Sequence, residues 1–328
     1  MAVFTNLSEA EATGLLRVHG LDPLDKIETI SAGSVNSNFF LHLPNGKKVF
    51  ARIYEEQEAD GVAYEWTLLD HLLSRGIPVP RRVPGSSPGQ CRVSGKPTAL
   101  FEIVGGEESC QASVSQERAF AVGQAIASVH LAAADFTPRK ESRFRTQDIE
   151  RRLRLPEVRS TPTLAPAIAA IRKALETVRQ TPTESLPRGV IHGDLFRDNV
   201  RWEGSQIVAI IDWESASDGD LIFDLVVTLL AWCFGDGMDW GLGRALFDGY
   251  RSTRELEAAE WRSVRVKALL ACARFTATRI TDFHLRKSNN DRVIKDYRRF
   301  LERMNTFEPI SDLEVAQKLG LRRPEDLC

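Results

Sequence analysis

At Gly105-Gly106 the chain changes its hydrophobic period. Before the glycine pair, apolar residues come in short alternating runs. Residues 35–43 run into a Pro44-Asn45-Gly46 turn and residues 48–54 return from it, which predicts a β-hairpin; two more strands are expected near 91–93 and 98–104. A helix over 8–18 has Ser8 as N-cap with Glu11 three residues on. A second, over 62–75, shows an apolar face of Trp66, Leu69, Leu72 and Leu73 and stops at Gly76, with Pro78 and Pro80 barring its continuation. After the glycine pair the spacing becomes helical. Helices are predicted over 115–133, 165–180, 221–234, 241–250, 257–285 and 291–304, interrupted by short apolar segments at 189–191 and 207–211. Strands first and helices afterwards predict an α+β fold of two lobes, a β-rich N-terminal lobe over 1–104 and a helical C-terminal lobe over 105–328.

Composition narrows the function classes. The 328 residues are 43% hydrophobic and 27% charged, with a net charge of −2, so disordered and fibrous classes are excluded. Near-neutrality gives no reason to expect nucleic acid or an anionic membrane as partner. No apolar run approaches a membrane span and the opening residues lack a signal-peptide layout, so a cytoplasmic location is expected. The five cysteines, Cys91, Cys110, Cys233, Cys272 and Cys328, are odd in number and form no C-x-x-C pair, which argues against disulfide frameworks and zinc sites.

The segment His192-Gly193-Asp194-Leu195-Phe196-Arg197-Asp198-Asn199 reads H-x-D-x-x-x-x-N directly after a strand-like run. Phosphoryl transfer needs a carboxylate to accept the hydroxyl proton of the acceptor and an amide oxygen for Mg²⁺, and this spacing puts Asp194 and Asn199 on one loop for those roles. Asp212 follows the β-run 207–211, where a kinase places its main Mg²⁺ ligand. Upstream, the small-residue segment 31–38, with Gly33, Ser34, Asn36 and Ser37, can bring backbone N–H groups to phosphates. Arg52 lies on the strand 48–54 and Glu65 on the helix that follows, the places of a phosphate-binding cation and its carboxylate partner; the usual cation is Lys, and this chain offers Arg. Residues 99–106, with Glu102 and Val104, are expected to form a hinge that reads adenine through backbone groups. Asp224, in an apolar helix start, is expected to anchor the catalytic loop. Arg274, Thr278 and Asp282 recur at i, i+4 and i+8 on one helix face and offer a cation and an anion to an acceptor, with Trp232 a further candidate.

Together these residues resemble the aminoglycoside phosphotransferase and choline kinase superfamily, and within it the homoserine kinases. The likeness runs from Val35-Asn36-Ser37-Asn38-Phe39 and Gly76-Ile77-Pro78-Val79-Pro80 through residues 190–200 to Ala231-Trp232-Cys233-Phe234 and the segment 273–282. It implies a protein-kinase-like fold, ATP and Mg²⁺ as cofactors, and a small-molecule alcohol as acceptor. That acceptor would be homoserine, in threonine biosynthesis, or alternatively a choline- or aminoglycoside-type compound. The chain departs from the homoserine kinases in two places: Gly193 stands where they usually have Ala, and Asp212-Trp213-Glu214-Ser215-Ala216-Ser217 stands where they usually have Asp-Phe-Tyr-Phe-Ala-Cys. The Asp-Trp-Glu run is similar to choline kinases.

Overall fold

The computed structural model describes residues 4–30, 35–181, 185–285 and 295–321. These divide into two compact units. One holds the residues up to Gly106 together with Val208–Glu214; the other holds Glu107–Ile207 and the described residues from Ser215 onward.

The first unit opens with α1 (Glu9–Val18), capped as its sequence predicts: the Ser8 hydroxyl accepts from the Glu11 N–H while the Glu11 carboxylate accepts from the Ser8 N–H. Then come β1 (Lys26–Ile30), β2 (Ser37–His42), β3 (Lys48–Ile53), α2 (Ala59–Ser74), β4 (Arg92–Val93) and β5 (Lys96–Glu102). The strands form an antiparallel sheet in the order β1-β2-β3-β5-β4. On β3 the period of two sends Val49, Ala51 and Ile53 into a core with Phe39, Leu41, Leu100 and the α1 residues Leu15 and Leu16. Phe50 and Arg52 therefore face the other side. There the register aligns Asn38, Arg52 and Ala99 in one row and Phe40, Phe50 and Phe101 in the next. A slip of one residue would drive Arg52 into the apolar core, so burial fixes where this cation stands.

The second unit is mostly helical: α3 (Gln116–Ala132), α4 (Thr146–Leu153), α5 (Pro156–Arg159) and α6 (Ala165–Gln180) lead to β6 (Arg188–Ile191) and β7 (Val200–Glu203). The strand β8 (Gln206–Ile210) carries the chain to the Val208–Glu214 segment of the first unit. Then β9 (Ser217–Asp220) pairs antiparallel with β6, and α7 (Leu221–Trp232), α8 (Trp240–Arg251), α9 (Ala258–Arg279), α10 (Arg298–Phe307) and α11 (Asp312–Lys318) complete the unit. Helix α7 is buried almost throughout, as its unbroken apolar sequence requires. Helices α3 and α8 cross at glycines: a Cβ on Gly123 would lie 2.0 Å from the Leu246 carbonyl oxygen, and one on Gly249 2.0 Å from that of Phe120. The helix expected over 257–285 keeps α-geometry only to Arg279 and widens into a π-helical turn over Ile280–His284. Helix α4 lies in the charged stretch 139–159, which the sequence marks as a solvated, partly helical surface without bounds; it is short and strongly charged, which hides its period.

Candidate active site

In the first unit, Arg52, Glu65 and Asp212 come together. The Arg52 Nη1 lies 3.3 Å from Asp212 Oδ1 and 3.8 Å from Glu65 Oε1. The Arg52 side chain is 13% exposed and that of Glu65 only 2%. Burial works against the guanidinium charge, but Asp212 and then Glu65 more than offset it and hold Arg52 above the ordinary arginine range. Asp212 has a φ of +67°, the left-handed region, which costs a residue with a Cβ about 1–3 kcal/mol and persists only where the surroundings over-determine it. They do so here. The Trp213 indole donates to the Ile210 carbonyl at 2.8 Å, the Ile210 N–H donates to the Pro78 carbonyl at 2.7 Å, and Asn36 donates to the Glu214 carboxylate at 2.7 Å. Gln57 adds a bond to the Glu214 carbonyl.

The remaining nucleotide candidates are placed as follows. Gly33 and Ser34 lie outside the described residues. Asn36 uses both ends of its amide, donating to Glu214 and accepting from the Glu55 N–H. Ser37 is fully buried, donates to Glu55 and accepts from the Phe4 and Thr5 N–H groups. Glu102 is exposed and pairs with Arg81 at 3.7 Å, and Val104 is half-buried beyond the end of β5.

In the second unit the loop after β6 carries Asp194, and it is held on several sides. The buried Asp224 on α7 accepts from the N–H groups of His192 at 2.8 Å and Gly193 at 2.7 Å, as its apolar setting in the sequence predicts. Burial opposes the Asp224 charge, but His130 and the Gly193 N–H outweigh it and keep the carboxyl below its ordinary range. His130 in turn meets the Tyr250 hydroxyl at 2.8 Å, and Arg254 joins that hydroxyl to Glu260. On the opposite edge of the Gly193 peptide, Arg274 donates to the Gly193 carbonyl at 2.5 Å. Gly193 itself sits at φ +74°, which favours the glycine found here over the alanine of its resemblance group. The Asn199 amide nitrogen donates to the Asp194 carbonyl at 2.8 Å, which leaves its Oδ1 as the atom available to a metal.

Arg274 is 4% exposed, with its guanidinium 4.0 Å from the Phe144 ring centre and 4.5 Å from that of Phe275. Burial pushes it down to about 10, with Arg143 adding to the effect and the Asp194 carboxylate opposing it. Asp282 does not stand above Arg274: it lies in the π-helical turn, which breaks the i, i+4, i+8 spacing, and its carboxylate pairs with Arg152 at 2.6 Å. Trp232 is fully buried beneath the loop, its indole donating to the Leu195 carbonyl at 3.1 Å. The sequence reading missed His130, Arg152 and Glu214. A histidine inside the apolar run of α3 is the one of these with a local signal, since a buried imidazole needs partners.

Residues 26–256 match the model of the phosphotransferase enzyme family. The chain belongs to this family. It is similar to the homoserine kinase of Methylocella silvestris, 35% identical over 290 residues that cover 86% of this chain and 88% of that one. It is also similar to the homoserine kinase of Brucella anthropi, 31% identical over 98% of each chain. In fold it is similar to an amicoumacin kinase solved with AMP-PNP and Ca²⁺, with a TM-score of 0.68 at 13% identity, covering 88% of this chain and 91% of that one. Among the described residues no helix is long and apolar enough to cross a membrane, and no three His, Cys, Asp or Glu side chains form a metal cluster.

Proposed function

We propose that this phosphotransferase transfers the γ-phosphoryl group of ATP, with Mg²⁺, to the side-chain hydroxyl of L-homoserine. The observation that carries the reading is the clamped Asp194 loop in a chain similar over nearly its whole length to homoserine kinases. Asp194 accepts the hydroxyl proton as the acceptor oxygen bonds to the γ-phosphorus and the bridging oxygen leaves with ADP. The donor set suits a hard divalent cation: Asp212 is one-third exposed at its side chain, and Asn199 has an oriented amide oxygen. These two residues would hold Mg²⁺, which supplies charge neutralisation on the phosphates. Arg52, fixed by Glu65, is suited to the α- and β-phosphates, with Asn36 and Ser37 shaping the backbone there and residues 102–104 taking the adenine. Arg274 and Asp282, the acceptor candidates of the sequence, would act on the acceptor indirectly, Arg274 through the Gly193 peptide and Asp282 through Arg152.

A choline acceptor would call for an aromatic cage. The buried positions of Trp213 and Trp232 do not favour one. The test is ADP release with MgATP and a panel of L-homoserine, choline, ethanolamine and aminoglycosides. Turnover with homoserine is expected. Turnover with the cationic alcohols and none with homoserine would overturn the acceptor.

A further inference from the structure

Among the described residues of the second unit, a group of arginines makes its hydrogen bonds to carbonyls and an amide and no ion pair with a carboxylate. Arg279 donates to the backbone carbonyl of Asp296 at 2.9 Å. Arg303 donates to those of Leu230 and Arg299, and Arg197 to that of Ala231 and to the Gln111 side chain. Among the described residues none of these three, nor the exposed Arg299, makes an ion pair. Arginines of similar burial elsewhere do: Arg52 has Asp212 and Glu65, and Arg254 has Glu260 at 2.9 Å.

The group is contiguous. The Arg279 and Arg303 guanidiniums stand 4.5 and 4.8 Å from the centre of the Phe300 ring. Phe300 stacks on Phe275 at 4.7 Å, and Phe196, two residues after Asp194, packs edge-on against both rings. Arg279 is also the last α-helical residue before the π-helical turn, a departure common at functional sites. Burial is the main cause pushing Arg279 and Arg303 down to about 10; Arg303 adds to it for Arg279, and the Asp194 carboxylate is close enough to oppose it.

Desolvated positive charge without a partner is costly, and an anion that arrives with the ligand removes that cost. The guanidinium fork matches a carboxylate in two parallel hydrogen bonds. A cationic acceptor would bring like charge into the same field. We propose that Arg279, with Arg303 and Arg299 reinforcing its field, binds the carboxylate of the acceptor and so selects a hydroxy acid over amino alcohols and amino sugars. This rests on the homoserine reading and adds the residue that enforces it.

The experiment compares L-homoserine with 3-aminopropan-1-ol, the same molecule without its carboxylate, by ADP release at saturating MgATP. It uses the wild type, Arg279→Gln, Arg279→Lys and Arg299→Gln. The wild type should prefer homoserine by at least 100-fold in kcat/KM. Arg279→Gln should cut that preference at least tenfold through the homoserine KM, Arg279→Lys should restore part of it, and Arg299→Gln, at an exposed position, should lower it by a smaller factor. If Arg279→Gln shifts both alcohols alike or neither, or if its loss appears in the melting temperature and kcat with the preference intact, Arg279 only braces Phe300 and the inference falls while the homoserine reading stands. If only carboxylate-free alcohols turn over in the wild type, both fall. If another hydroxy acid proves to be the acceptor, homoserine falls and the same comparison on that acid decides Arg279. If nothing turns over, calorimetric binding of homoserine to wild type and Arg279→Gln decides: equal affinity, or no binding to either, overturns it.

Discussion

Replacing Asp224 by Asn tests whether the catalytic loop is held by charge or merely by shape. The side chain keeps its size and its burial, but it exchanges one acceptor oxygen for a donor NH₂. In the native protein the carboxylate accepts from His192 N–H at 2.8 Å, Gly193 N–H at 2.7 Å and His130 Nε2 at 3.2 Å. Asn can serve only one side of this arrangement. One charge-assisted hydrogen bond is lost, about 1.5–3 kcal/mol, and one buried donor is left unmet, about 1–3 kcal/mol. The expected destabilisation is the sum, about 2.5–6 kcal/mol, or a fall in Tm of about 5–24 °C at about 2–4 °C per kcal/mol. Urea and thermal denaturation followed by circular dichroism measure it, and turnover should fall as well because Gly193 precedes Asp194. The pH dependence supplies a second reading. The native pKa of Asp224 lies below its ordinary value of 3.8, so its contribution is present above that pH and is lost as pH falls through the lower native value. The Asn variant should lack that part of the acid destabilisation. A loss of under 1 kcal/mol with an unchanged acid profile would refute the reasoning.

Asp194→Asn should lower kcat by about 10² or more with little change in ATP affinity, since loss of a general base acts on the chemical step; near-native turnover would remove Asp194 from that role. Arg52→Ala should raise the ATP KM more than the acceptor KM, and should also lower the melting temperature because it removes the charge that faces Asp212 and the buried Glu65; equal effects on both KM values would place Arg52 away from the phosphates. Arg274→Met removes the bond to the Gly193 carbonyl, so early melting and a fall in kcat at nearly constant homoserine KM are expected, whereas a tenfold rise in KM at unchanged Tm would make Arg274 a direct acceptor contact.

Much of this protein could be read before any fold was known, because the signals are local. Backbone geometry imposes periods of 2 and 3.6 on any buried face, so β3 and α2 announce themselves, and Arg52 and Glu65 come with them. The loop from His192 to Asn199 is legible for a related reason: a short loop needs its reacting groups at fixed spacing, and spacing is visible in one dimension. Asp224 stood out too, as a carboxylate in an otherwise apolar helix must find partners. What the sequence could not determine is which distant groups meet. Asp282 takes Arg152, 130 residues away, once the π-helical turn has rotated it off the Arg274 face. Glu214 takes Asn36 across 178 residues and helps hold the strained backbone of Asp212. Arg279 and Arg303 share one phenylalanine ring although they belong to different helices. Side-chain charges act through space over a few ångströms, and only the folded chain decides which of them stand that close and which are left unanswered.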